Sequence, residues 1–164
     1  KKKQEQQKKA IYNATGRLSK PKQVRLLLTK INNDQYKSHQ QVNFKKLLLQ
    51  KLQHFEELIK ARNIQLDCEL EEVLIDMNEE LAEILMNNLL NNAIKHNFNG
   101  GYIKCTMTPG KFEICNSGKQ LTFDQSFIFK RLQKSSHSTG TGLGLAVVHQ
   151  SCENSHLAIN YTNK

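Results

Sequence analysis

The strongest constraint on this chain is the order in which its apolar residues change period. A short alternating run at Val42 to Phe44 leads into Leu47, Leu48, Leu52, Phe55, Leu58 and Ile59, spaced as one face of a helix that stops near Asn63. Ile64 to Leu70 and Val73 to Ile75 alternate and read as two strands. A second periodic helix starts near Asn78, with Glu79 and Glu80 in its first turn, where carboxylates complement the helix dipole. Tyr102 to Thr108 and Lys111 to Cys115 flank Pro109-Gly110 and read as a hairpin. A polar loop to about Gly140, a helix over Leu143 to Cys152 and a last strand over Leu157 to Tyr161 complete the order. Strands that follow one another without an intervening helix argue against a run of βαβ crossovers, and so against a doubly wound dinucleotide fold. The expected class is α+β: a two-layer α/β sandwich with a mixed, mostly antiparallel sheet and helices on one face.

Ahead of this domain, Ile11, Ala14 and Leu18, then Val24, Leu27, Leu28 and Ile31, fall at helical spacings, with Gly16 and Pro21 between them. The reading is a helix broken or kinked near Pro21 and ended by Asn32-Asn33-Asp34. Its narrow apolar stripe suits a two-helix hairpin or coiled-coil seam, so residues 1–36 are expected to be a helical arm that pairs with another helix, and residues 37–164 a domain. A chain of 164 residues that is 38% hydrophobic suffices for one core with such an arm. The opening KKKQEQQKK has no methionine and no signal-type apolar region, and no run of roughly 18 apolar residues occurs, so a cytoplasmic piece of a longer protein is expected. Cys68, Cys105, Cys115 and Cys152 lack CxxC or Cys/His ligand spacing and read as reduced, partly buried residues. The net charge of +9 is spread along the chain without an aromatic-interleaved basic patch, and nucleic acid is not an expected partner.

Two segments carry chemistry. In "NNLLNNAIKH", residues 87–96, Ala82, Leu85, Met86, Leu89 and Ala93 share the core-facing arc, while Asn88, Asn92 and Lys95 line one border of it. Two amide oxygens four residues apart can meet a hard cation, and an ammonium one turn on can neutralise phosphate, so this edge suits Mg²⁺ against a triphosphate. In "STGTGLGLAVV", residues 138–148, Gly140, Gly142 and Gly144 alternate just before an apolar helical run. Backbone N–H groups free of a Cβ, together with a helix N-terminus, make a phosphate cradle. The spacing matches neither GxGxxG nor a P-loop.

These residues carry a resemblance. "LMNNLLNNAIKHN" resembles the N box, and "GTGLGLAVV" the G2 box, of the catalytic ATP-binding domain of sensor histidine kinases, within the ATPase superfamily that includes gyrase and mismatch-repair ATPases. "VNFKKLLLQKLQHFEELIKARNIQLDCEL" is similar to the family's first strand, helix and second strand, "IFKRLQK" to its F box, and "LLLTKINNDQY" to the end of the dimerisation hairpin. The resemblance implies a Bergerat ATP-binding fold with ATP and Mg²⁺ as cofactors. It makes Asn92 the Mg²⁺ ligand, with Asn88 on metal or phosphate, Lys95 at the phosphates and His96 near the nucleotide. Gly140, Thr141, Gly142, Leu143, Gly144 and Leu145 would form the far end of an ATP lid, Phe129 its anchor, and Lys134 a basic lid residue reaching the γ-phosphate.

The chain also departs from the family. The G1 box, Asp-x-Gly-x-Gly, corresponds to "NSGKQL", so Asn116 stands for the aspartate that accepts from the adenine amino group, Gly118 survives and Gln120 replaces the second glycine. An amide lacks the charge assistance of a carboxylate, so weaker adenine selection is expected. The lid is short, and relatives continue past the final strand into at least one more. No histidine carries the acidic residue and proline of a phosphoacceptor: His39, His54, His137, His149 and His156 all fail the pattern. The expectation is a kinase segment that transfers the γ-phosphate to a histidine outside it, for relay to a response-regulator aspartate, within a homodimer whose intact form is in many relatives membrane-anchored. A non-catalytic signalling module with a degenerate nucleotide site is the alternative. A topoisomerase-type ATPase clamp is disfavoured, since Glu80 and Glu83 lie on a different arc from Asn88.

Overall fold

A computed structural model describes residues 20–119 and 143–162 of the chain. Helix α1 spans Lys20–Asn32. The expected break near Pro21 falls at the edge of the described residues, and the arm residues before Lys20 lie outside them. Ile31 is 1% exposed and seats α1 against helix α4 (Leu143–Asn154), where the Asn154 Nδ2 donates to the Ile31 carbonyl at 3.5 Å. The narrow stripe therefore meets a helix of its own chain.

Strand β1 (Gln40–Asn43) runs straight into helix α2 (Phe44–Ala61), because the Asn43 side chain accepts from the Lys46 N–H at 3.0 Å and caps the helix. Phe44, Leu47, Leu48, Leu52 and Ile59 bury one face of α2. Lys51 lies on the same face, 8% exposed, and its Nζ reaches Glu83 at 3.0 Å on helix α3 (Glu79–Lys95). Strand β3 (Leu74–Met77) pairs antiparallel with β1, and Asn78 then caps α3 by accepting from the Leu81 N–H at 3.0 Å. Glu79 and Glu80 fill the first turn of α3, as the sequence indicates.

The second sheet has the order β2-β4-β5. Strand β2 (Gln65–Leu70) lies parallel to β4 (Tyr102–Thr108), with β3 and α3 making the crossover between them. Strand β5 (Lys111–Asn116) returns antiparallel through Pro109-Gly110, where Gly110 has φ +88°, as the third residue of a type II turn requires. Along β4, Ile103, Cys105 and Met107 are buried and alternate with Tyr102, Lys104 and Thr106. The inner side packs on the helices, with the Phe44 and Phe112 rings edge-on at 6.4 Å. The outer side is polar, with Lys104 between Glu69 at 2.8 Å and Asp67 at 3.7 Å. This is the expected α+β arrangement of helices on one face of mixed strands.

One expectation is corrected. Leu157 to Tyr161 forms no strand. α4 ends in a left-handed turn at His156 (φ +56°), with the Leu157 N–H donating to the Cys152 carbonyl at 2.8 Å. The following residues keep an alternating burial, and Leu157 and Ile159 lean on the core without a ladder partner. Period 2 reports a segment with two faces; a ladder requires a neighbour at its edge.

Candidate functional site

Helix α3 runs through the site, and its C-terminal half meets different glycines at Asn88 and Asn92 and at His96. Asn88 and Asn92 are half-buried on one stripe. Asn88 donates its Nδ2 to the Ile84 carbonyl at 2.8 Å, one turn back, which fixes its amide plane. Opposite lies Gly144, at the start of α4. A Cβ there would sit 3.3 Å from the Asn88 Oδ1 and 3.5 Å from the Asn92 Oδ1. Two amide oxygens thus converge on a backbone position that carries no side chain. Neutral oxygen donors around a backbone position that carries no side chain fit a hard cation already bound to a polyanion, so the residues present suit Mg²⁺ with phosphates.

At its C-terminal end α3 is tied down tightly. His96 caps it, its N–H bonded to the Asn92 and Ile94 carbonyls. Arg62, just after α2, places its guanidinium on the Ile94 carbonyl, on the Asn97 carbonyl at 2.5 Å and on the Asn99 Oδ1 at 3.0 Å. Asn97 is 6% exposed, and its Nδ2 donates to the Ala93 carbonyl at 3.2 Å and the Tyr102 carbonyl at 2.9 Å. Its Oδ1 accepts the Ser117 hydroxyl at 2.6 Å, while that hydroxyl accepts the Tyr102 N–H at 2.9 Å. Gly101 is packed into this network: a Cβ would come within 2.1 Å of both the Asn97 Oδ1 and the Ser117 Oγ. Gly118 backs onto the end of α3, where a Cβ would lie 2.5 Å from the His96 carbonyl oxygen. Asn116, half-buried at the end of β5, donates its Nδ2 to the Ser117 carbonyl at 2.8 Å.

Lys95 and His96 are exposed at the last turn of α3. Desolvation, and then the Lys95 ammonium beside it, lowers the pKa of His96 below 6.5 and favours the neutral imidazole. Glu83 faces α2 and pairs with Lys51, and Glu79 accepts from Gln40 at 2.8 Å, so neither is held toward the Asn88 and Asn92 edge. Asn88 and Asn92 lie on α3, Gly144 faces them, and Asn116 and Gly118 lie at its C-terminal end. Phe129, Lys134, Gly140, Thr141 and Gly142 lie outside the described residues, as does the side chain of Leu143. Arg62, Asn97, Gly101 and Ser117 escaped that reading; the only local signal is the Asn99-Gly100-Gly101 run after the helix, which marks a tight turn without naming its partners.

The family model of histidine kinase-, DNA gyrase B- and HSP90-like ATPases matches residues 77–164, more than half of the chain. The chain belongs to this family. The match begins at the last residue of β3 and takes in α3, β4, β5 and α4, the elements that build both ends of the site. Among curated proteins, the ATPase-family chain is 29% identical to the heme sensor protein HssS of Staphylococcus saprophyticus over 150 residues, 87% of the chain and 33% of that protein. It therefore spans about a third of that relative. Among solved structures, histidine kinase AdeS of Acinetobacter baumannii superposes with a TM-score of 0.72 at 21% identity, covering 95% of this chain and 77% of that one. Histidine kinase ThkA, in a complex with the response regulator protein TrrA, matches with a TM-score of 0.60 at 21% identity, over 90% of this chain and 43% of its own. These likenesses establish the ATP-binding fold of the histidine kinases. Among the described residues no helix is long and apolar enough to cross a membrane.

Proposed function

We propose that this chain is the catalytic ATP-binding part of a two-component sensor histidine kinase, which passes the γ-phosphate of ATP to a histidine on a helix outside the chain, for relay to a response-regulator aspartate. The observation that carries the reading is the convergence of the Asn88 and Asn92 Oδ1 atoms on Gly144. When bound, Mg²⁺ would neutralise phosphate charge there and hold the transferred group in line. Asn92 would be its ligand, and Asn88 would touch metal or phosphate. Lys95 adds positive charge at the phosphates, and Asn116 and Gly118 meet the base. Lys134 and Phe129 would close the lid, with Gly140, Thr141 and Gly142 at its far end. Transfer then rests on positioning and charge neutralisation, with the acceptor imidazole as nucleophile. Residues 1–36 would be the arm through which the intact protein forms a homodimer.

Titration calorimetry of a non-hydrolysable ATP analogue, with and without Mg²⁺, beside Asn92→Ala, tests this. Magnesium-dependent binding lost in the variant is the expected result. A folded wild-type chain that binds no analogue, or binds it equally without Mg²⁺ and in Asn92→Ala, would overturn the reading. Steady ATP hydrolysis by the chain alone would point instead to an ATPase clamp.

A further inference from the structure

We propose that the Asn116 amide is locked as a hydrogen-bond acceptor by the Ser117 carbonyl, and that Asn97 and Ser117 are the positioning residues that make the site select a purine bearing a 6-amino group over a 6-oxo purine. The proposal rests on the nucleotide-site reading above and adds how the base is read. An asparagine amide has two faces, one a donor and one an acceptor. Left free to rotate, it would offer Oδ1 to an amino group or Nδ2 to a carbonyl, and adenine and guanine would be served alike. Here the orientation is already fixed, because one Asn116 Nδ2 proton is donated to the Ser117 carbonyl at 2.8 Å. Turning the amide over would set Oδ1 against that carbonyl oxygen, acceptor against acceptor. The Oδ1 is left for the base, and it suits only a donor.

The lock works only if the Ser117 carbonyl is itself immobile. Its residue is held at three points: the hydroxyl donates to Asn97 at 2.6 Å and accepts from the Tyr102 N–H at 2.9 Å, and the Ser117 N–H donates to the Tyr102 carbonyl at 3.1 Å. Asn97 is buried and fixed in turn by the Ala93 and Tyr102 carbonyls. On the far side Gly118 lies close against the His96 carbonyl, which prevents the peptide from swinging outward. An aspartate would need none of this, since both its oxygens accept. The asparagine at position 116 is thereby made to behave as an acceptor, and the weaker adenine selection expected from the sequence is offset by this support.

The test is calorimetric titration of ADP and of GDP into the whole chain, with circular dichroism as the check on folding. Wild type is expected to favour ADP by roughly tenfold or more, the worth of one hydrogen bond against an unpaired buried acceptor. Ser117→Ala should shrink that ratio several-fold, and Ser117→Thr, which keeps the hydroxyl, should restore it. In an Asn116→Asp background the ratio should no longer respond to Ser117→Ala. Equal binding of ADP and GDP by wild type, or a Ser117→Ala variant that weakens both alike and leaves the ratio unchanged, would overturn the lock. The wild-type ratio decides even where Ser117→Ala does not fold. A folded wild type that binds neither nucleotide overturns the nucleotide-site reading itself, and the lock with it.

Discussion

Near the C-terminal end of helix α3, Asn97 uses both Nδ2 protons and its Oδ1 on partners within the protein, whereas further back along the same helix Asn88 and Asn92 turn their Oδ1 atoms toward a glycine. The same residue type thus serves two purposes set by what packs opposite. Where three strands and a helix end must be joined, the amide is buried and saturated, and it fixes geometry before any ligand arrives. At the proposed phosphate end, Asn88 and Asn92 are half-buried and the facing backbone has no side chain, which leaves room for an ion and its phosphates. A site that reads a base gains from rigidity already present; one that takes a hydrated cation needs room and open donors.

The sharpest way to break this comparison is to add one methyl group at each end. Gly101→Ala forces a Cβ to 2.1 Å from two hydrogen-bonded oxygens and should cost about 3 kcal/mol, lowering Tm by roughly 6–12 °C in thermal unfolding. Gly144→Ala meets its nearest atom at 3.3 Å and sits in a helix, so Tm should hold, while Mg²⁺-dependent affinity for an ATP analogue falls on the order of tenfold. Next in size is Arg62→Ala, which removes the guanidinium from the Ile94 and Asn97 carbonyls and should cost about 2 kcal/mol in urea unfolding; Arg62→Lys should recover little, because one ammonium cannot span both acceptors. Asn78→Ala, remote from both ends, removes the cap of α3 and should cost about 1 kcal/mol while leaving the ADP to GDP ratio unchanged.

The smallest effect concerns pH. The folded-state pKa of His96 is lowered from 6.5, by desolvation first and by Lys95 second. A depressed pKa means that the unfolded chain takes up the proton more readily, so the contribution is whole above 6.5 and is lost as pH falls through the folded-state value. Histidine NMR titration should give a midpoint below 6.5, and His96→Gln should slightly flatten the acid side of the stability profile. A midpoint above 6.5 would place a negative charge beside the ring that the described residues do not supply.

The comparison also marks what could be read from the sequence. The start of α3 near Asn78, the Pro109-Gly110 turn and the apolar faces of α2 and α3 are local, and each follows from a few neighbouring residues. The juxtaposition at the proposed phosphate end has local signals too, because Asn88 and Asn92 share a helix stripe and Gly144 precedes an apolar helical run. Leu89 was placed on the buried arc but is only half-buried, and Leu81, Leu90 and Ile94 complete that face. The base end was not legible. Arg62, Asn97, Gly101 and Ser117 are brought together by the parallel pairing of β2 with β4 and the return of β5, which no window of sequence contains. In an asparagine-rich chain, moreover, Asn97 has nothing in its neighbourhood to distinguish it from Asn87 or Asn91. Leu157 to Tyr161 failed for the same reason, since its alternation is local and a strand partner is not.

The central claim is that Asn88 and Asn92 are the residues left open for metal and phosphate while Asn97 is closed. Side-chain amide NMR on the ¹⁵N-labelled chain, with signals assigned through Asn→Asp variants, tests it directly. Adding Mg²⁺ and a non-hydrolysable ATP analogue together should shift the Asn88 and Asn92 amide signals, with little change from Mg²⁺ alone and little at Asn97. Binding that moves Asn97 and leaves Asn88 and Asn92 unshifted would contradict the account.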